Sequence, residues 1–170
     1  MSTNATGEPA TAVISAKGLS RKERIGLHIH RGLDKKLSAV GIWAFRRTKG
    51  GIAKPWNADV LVLTTVGRRS GRERNVILQF FPDGDAMIVA AANGGEDANP
   101  AWYANLKAGP AARVEVVGQT IEVRAEDLPD EEAAVWWTRI EERDHNYERY
   151  TRATNRRIPV LRLVPTTKAS

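Results

Sequence analysis

Residues 59–91, DVLVLTTVGRRSGRERNVILQFFPDGDAMIVAA, decide the fold. Three apolar runs in this stretch, 60–65, 75–81 and 86–91, have the length and composition of strands. Pro82-Asp83-Gly84-Asp85 joins the second run to the third, a strong turn signal, so the stretch predicts a three-stranded meander. The connection between the first two runs is chemically denser. It holds Gly67 and Gly71, the hydroxyl of Ser70, and the guanidiniums of Arg68, Arg69, Arg72 and Arg74. Glycine conformations turn backbone N–H groups toward an anion, and planar guanidiniums pair bidentately with phosphate or carboxylate. A solvated hairpin tip has the same composition, and residue types alone do not choose between the two. No Gly-Lys-Ser/Thr follows as in a phosphate loop, and no Gly-x-Gly-x-x-Gly opens a helix as in a dinucleotide site.

Outward from this stretch, Asn99-Pro100 reads as an N-cap with proline in the first helical turn. Gly109-Pro110 closes that short helix. A hairpin follows over 113–117 and 120–124 around Gly118-Gln119, then a helix over 131–143 begun near Asp127 and Pro129. A second helical stretch over 147–154 precedes a last strand over 158–164, with Pro159 at its start. About six antiparallel strands with one short helix inserted between the third and fourth, and no repeated βαβ unit, predict a mainly β protein of split β-barrel type. On the N-terminal side, Ile25, Ile29, Leu33, Leu37, Val40 and Ala44 recur at helical spacing with basic residues elsewhere, an amphipathic N-terminal helix. The expected organisation is a disordered tail over 1–19, a basic helical segment over 20–56, the barrel over 57–165 and a tail over 166–170.

Composition narrows the function. The 170 residues carry a net charge of +6, concentrated before residue 57, where eleven Lys and Arg face only Glu8, Glu23 and Asp34. The absence of cysteine rules out disulfides, thiolate nucleophiles and thiolate-held metals, and suits a cytoplasmic protein. His28, His30 and His145 have no metal-ligand spacing, so no metal is expected. Ser70 has no histidine near it in sequence, which weakens a hydrolase reading. No apolar run approaches the roughly 18 residues of a spanning helix, and the first residues do not read as a secretory signal. The basic segment suits either packing on the barrel, the favoured reading, or peripheral contact with an anionic membrane on its inner face. No nucleic-acid motif is present.

Four segments carry a family resemblance: Thr64-Thr65-x-Gly67-Arg68-Arg69-Ser70-Gly71-x-x-Arg74; Ala90-Ala91-Ala92-Asn93-Gly94-Gly95; the run from Asn99 to Lys107; and Tyr147-x-x-Tyr150 ahead of Arg157-Ile158-Pro159-Val160. In order and spacing they are similar to the deazaflavin-dependent nitroreductase family. The resemblance covers roughly residues 57–165 and implies a split β-barrel related to flavin-mononucleotide-binding barrels, with coenzyme F420 as cofactor and flavin mononucleotide as the alternative. It implies that Arg68, Arg69, Ser70 and Arg74 hold the phosphate and acidic tail. Asn75, Val76, Ile77, Leu78 and Gln79 would run beside the ring, and Ala90, Ala91, Ala92 and Asn93 would line it. Ala101, Trp102, Tyr103, Ala104 and Asn105 would complete the site, although by residue type Trp102 and Tyr103 equally suit core packing and Asn105 equally suits bracing its own turn. Tyr147 would sit over the cofactor near the substrate.

Two departures bear on the acceptor. Ala92-Asn93 stands where nitroreducing members have Ser-Lys, and Gln79 where they have tyrosine. The resemblance thus implies a reductase that moves a hydride from the reduced deazaflavin to a small molecule, a quinone, an enone or a nitroaromatic, with Tyr147 and Asn93 as candidate donors to the acceptor. A non-catalytic coenzyme carrier and an anionic-surface binding module are the alternatives. Sequence leaves the oligomeric state open.

Overall fold

The computed structural model describes residues 40–48 and 59–166. The expected tail over 1–19 and the stripe from Ile25 to Leu37 lie outside them. In chain order the elements are helical residues 40–47 (α1), then β1 (Val60–Val66), β2 (Glu73–Gln79), β3 (Phe81–Asp83), β4 (Ala86–Ala90), a 3-10 turn (Asn93–Gly95), α2 (Ala101–Ala108), β5 (Ala111–Val116), β6 (Gln119–Asp127), α3 (Asp130–Arg143), α4 (Asn146–Ala153) and β7 (Val160–Pro165).

The strands form one antiparallel sheet in the order β2-β1-β5-β6-β7-β4-β3. The expected run 75–81 is therefore two strands. Phe80 separates them, and they lie at opposite edges of the sheet, so the sheet curls until its two edges meet at a single bent segment of chain. The meander expected from the sequence is corrected accordingly. β4 pairs with β7 and β3, and never with β2. Turn chemistry located the hairpin between β3 and β4, but nothing local in the sequence reports that the chain changes partner at Phe80.

Alternation along the strands separates three apolar clusters. Leu61, Leu63, Val89, Val114, Val123 and Leu163 fill the barrel interior, and Trp102 and Leu106 of α2 close it. On the opposite face of β4 and β7, Ile88 and Val160 pack with Phe81 against Trp136 and Ile140 of α3 and Tyr147 of α4. The third cluster seats Ile42 and Phe45 of α1 on Val62, Val60 and Ile77. This corrects the N-terminal stripe in its described part: Ile42 and Phe45 face the barrel, while Val40 is 63% exposed. Arg46 completes the docking of α1 with a bidentate pair to Glu115 of β5, 2.8 and 2.6 Å. The guanidinium bonds hold the Glu115 carboxyl below its ordinary value.

One cap and one turn differ from expectation. Pro100, not Asn99, is the N-cap of α2 and makes no side-chain cap bond, because the Asn99 side chain is occupied by Arg156. The β5–β6 hairpin turns at Val117-Gly118, one residue earlier than read, with φ of 48° and 80°. Positive φ at both central residues marks a type I′ turn, which suits the twist of the flanking strands but is strained for a β-branched residue. Among the described residues no helix is long and apolar enough to cross a membrane.

Candidate active site

The register of β1 and β2 fixes the arginine turn. Val66 pairs with Glu73, and the six residues between them fold on themselves through Gly67 N–H to Arg72 O, 2.8 Å, with Ser70 and Gly71 N–H both donating to Gly67 O at 3.0 and 2.8 Å. Gly67 is required by close approach, since a Cβ there would meet the Ser70 hydroxyl at 2.7 Å and the Arg72 carbonyl at 3.1 Å. Gly71, at φ +62°, faces open space.

A buried amide fastens this turn to α2. Asn105 Nδ2 donates to Thr65 Oγ1 and Asn105 Oδ1 accepts from the Arg68 N–H, both at 3.1 Å. The side chain expected to complete the cofactor site, or equally to brace its own turn, braces the arginine turn, a long-range contact that spacing along the helix does not reveal. Thr64 adds a second lock, its hydroxyl donating to Asn75 Oδ1 at 2.8 Å.

The guanidiniums on this frame are largely unspent. Arg74 reaches Ser70 Oγ at 3.4 Å, and among the described residues Arg68, Arg69 and Arg72 make no side-chain hydrogen bond or ion pair. The one acid in the turn, Glu73, is drawn away by Arg113 at 3.1 Å. Four exposed cations on and beside an ordered turn, with the neighbouring acid engaged elsewhere, offer the donor chemistry that a multiply charged anion needs. A phosphate with a carboxylate tail fits this donor set, and a fully compensated cluster would not.

β2 is an edge strand, paired with β1 alone. Val76 and Leu78 point into the barrel and Ile77 toward α1, so the feature of Asn75–Gln79 left for a ligand is its unpaired backbone edge. Of the expected α2 residues, Trp102 belongs to the barrel core, Ala101 is exposed, Ala104 and Tyr103 are half-buried, and Asn105 is the brace described above. Burial and the Asp127 carboxylate push the Tyr103 phenol up.

The loop from β4 to α2 forms the other end of the site. Ala90 is half-buried, while Ala91 and Ala92 are buried on opposite faces, in the barrel core and in the cluster containing Tyr147. Asn93, at φ 51°, begins three consecutive left-handed residues with Gly94 and Gly95. Its amide donates to Ala98 O at 2.8 Å and Glu96 Oε2 at 3.2 Å, so both amide hydrogens close the loop. Gly95 carries α4: a Cβ there would meet Ala153 Cβ at 2.7 Å and the Tyr150 backbone at 3.1 Å.

Tyr147 is held edge-on by three rings, Phe81, Trp137 and Tyr150, at centroid distances of 6.0, 5.9 and 5.4 Å. Burial pushes its phenol well above the ordinary tyrosine range, so the hydroxyl keeps its proton. Among the described residues that hydroxyl has no hydrogen-bond partner, and no fully buried side-chain polar atom lacks one. The Tyr147 hydroxyl is therefore not sealed in and remains a free donor. Arg156, not flagged by the sequence, uses its guanidinium to tie this loop to the chain after α4; the only signal was an arginine pair ahead of Ile158-Pro159.

Residues 38–165 match the family model described as F420H(2)-dependent quinone reductase. An F420H(2)-dependent quinone reductase of Mycobacterium tuberculosis is 34% identical over 122 residues, which span 69% of this chain and 82% of that one. Among solved structures, an F420-H2 dependent reductase superposes with a TM-score of 0.57 at 31% identity, covering 62% of this chain and 93% of its own. Another, described as a domain-swapped dimer, gives the same TM-score and identity over 62% of this chain and 79% of its own. The fold and the cofactor that the sequence resemblance implied agree with these matches, and the family description names quinones, one of the three acceptor classes expected alongside enones and nitroaromatics. The protein is thus an oxidoreductase that uses coenzyme F420 on a split β-barrel, and it belongs to the F420H(2)-dependent quinone reductase family.

Proposed function

We propose that the protein transfers a hydride from reduced coenzyme F420 to a quinone, with activated enones and nitroaromatics as poorer acceptors. The observation that carries the cofactor half is the Asn105-braced turn with the Arg68, Arg69 and Arg72 guanidiniums unpaired among the described residues beside Arg74. Arg68, Arg69, Ser70 and Arg74 hold the phosphate and acidic tail, the free edge of β2 lies along the ring, and Ala90 to Asn93 with Ala104 and Asn105 bound it. When bound, the reduced deazaflavin supplies the hydride, chemistry that belongs to the cofactor.

The protein's own part is to fix the ring, keep one face open and stabilise charge that grows on the acceptor oxygen. Tyr147 suits that role, since its phenol is protonated and unspent. Asn93 suits a different one. Its amide hydrogens hold the loop, so it shapes the wall and leaves donation to Tyr147. Ala92-Asn93 in place of Ser-Lys leaves these two positions without a hydroxyl or an ammonium, and the Asn93 amide is spent on the loop, which favours a quinone, whose ring delocalises the charge that the hydride brings.

A titration comparing coenzyme F420, flavin mononucleotide and flavin adenine dinucleotide tests the cofactor assignment, with coenzyme F420 expected to bind tightest and Arg74→Ala to weaken it by about 1.5–3 kcal/mol. Tighter binding of flavin mononucleotide would overturn the assignment of the arginine turn. Single-turnover oxidation of the reduced coenzyme by a quinone and by a nitroaromatic tests the chemistry. Tyr147→Phe should slow the quinone reaction by no more than about 2.7–4 kcal/mol while leaving coenzyme affinity unchanged. Equal rates in both proteins would remove Tyr147 from the reaction.

A further inference from the structure

The Arg156 guanidinium has five N–H donors, and all five are used. Nε donates to Glu96 O at 2.7 Å, Nη1 to Asn99 Oδ1 at 2.6 Å and Arg157 O at 3.3 Å, and Nη2 to Ala91 O at 2.9 Å and Ala92 O at 2.8 Å. Every acceptor is a neutral oxygen. Asp97, the acid beside it, is bonded instead by the Thr154 hydroxyl at 3.0 Å, and that same hydroxyl accepts the Arg156 N–H at 3.3 Å. A cation that forgoes a carboxylate to gather carbonyls is poorly explained as a surface ion pair. Apart from Arg157 O, the oxygens it gathers belong to the two segments that flank the ring wall, one ending in Asn93 and the other leading into α2.

The second half of the arrangement is α4. Its C-terminal end rests on Gly95 without space for a Cβ, and Arg156 follows three residues after its last residue, Ala153. One side chain therefore fixes the wall at Ala91 and Ala92 and, through the short chain from Ala153, fixes the helix that carries Tyr147.

We propose that Arg156 is a positioning residue for hydride transfer, setting the ring wall and the Tyr147 hydroxyl at one fixed separation. The inference rests on the assignment of Ala90 to Asn93 and Tyr147 to the cofactor and acceptor site. Arg156 touches neither the ring nor the acceptor and acts through the loop. Lysine cannot replace it, because three donors on a single nitrogen cannot span five diverging oxygens.

The test uses the full chain with Arg156→Lys and the milder Asn99→Ala, which removes one acceptor of the network and leaves the three core clusters untouched. Binding of intact coenzyme F420 and of the ribityl deazaflavin lacking phosphate and tail is followed by fluorescence. Quinone kinetics are measured in parallel, with Tyr147→Phe alone and combined with Arg156→Lys. Arg156→Lys should weaken both ligands by about tenfold and leave their affinity ratio unchanged, whereas Arg74→Ala should change that ratio. Asn99→Ala should shift the same way by a smaller factor. In kcat/KM for the quinone, Arg156→Lys and Tyr147→Phe should combine non-additively, the loss of the donor mattering less once it is misplaced. Wild-type ring affinity in both variants, or strict additivity with Tyr147→Phe, would overturn the proposal and leave Arg156 a structural residue. Failure of the unaltered protein to bind either ligand would instead remove the cofactor assignment beneath it.

Discussion

Asn105→Ala should cost both stability and coenzyme affinity, and the two losses can be separated. The Asn105 amide makes two bonds of 3.1 Å, one to the Thr65 hydroxyl and one from the Arg68 N–H, with Thr65 2% and Asn105 8% exposed. Truncation removes both and leaves a backbone donor at the edge of the turn without a partner. A net hydrogen bond contributes about 0.5–1.5 kcal/mol, and a buried group left unsatisfied costs about 1–3 kcal/mol, so a total near 2–3 kcal/mol is expected. For a chain of this size that is a fall in Tm of about 5–10 °C. Asn105→Asp is the companion. Its carboxylate still accepts from Arg68 and can accept from Thr65, so the turn stays fastened, but a negative charge now sits beneath the guanidiniums and competes with an anionic ligand. Thermal melts with coenzyme titration should therefore show Asn105→Ala less stable and weaker binding, and Asn105→Asp nearer wild type in stability yet weak in binding. Wild-type melting and affinity in Asn105→Ala would refute the brace. Undiminished affinity in Asn105→Asp would place the anion away from this turn.

Three further outcomes are expected. Val117→Asn should raise stability by about 1 kcal/mol, because Val117 adopts φ 48° while 72% exposed and asparagine tolerates that region; unchanged melting would show that the turn holds no strain. Glu115 has a folded-state pKa lowered by Arg46, so its contribution is present above the unfolded value near pH 4.3 and lost as pH falls; the Tm difference between wild type and Glu115→Gln should shrink on acidification, and a constant difference would refute the pairing. Tyr147 and Tyr150 have pKa values raised by burial, so the stability they lend is complete below about pH 10 and declines above it; Tyr147→Phe should reduce the alkaline loss measured by chemical denaturation.

The barrel was legible because its signals are local. The apolar runs of β1 and β7, the alternation of β5 and β6, the Pro82 to Asp85 turn and the prolines before α3 and β7 each act within a few residues, and the elements they mark are present. Strand partnership was not legible, since Phe80 resembles its neighbours and the exchange of edges there depends on how far the sheet has curled. The proposed anionic end of the site showed in the density of arginine and glycine, a composition that a solvated hairpin tip shares, so the anion reading leans on the folded turn and its Asn105 brace. Its fastening was hidden, because Asn105 lies 37 residues from Arg68 in the chain. Arg156 was hidden for the same reason: its acceptors are mostly backbone carbonyls 60–65 residues away, and a backbone carbonyl has no residue type.

The bend at Phe80 gives this barrel an adjustable girth. Elsewhere around the wall the spacing of neighbours is set by ladders of hydrogen bonds, which allow only one distance. Between β2 and β3 it is set by the length of a covalent link, here one residue. Each residue inserted there would add up to about 3.3 Å of slack. Such insertions would let the edges of β2 and β3 move apart without breaking any strand pair, so the girth of the barrel can be changed by a loop-length mutation at a single position.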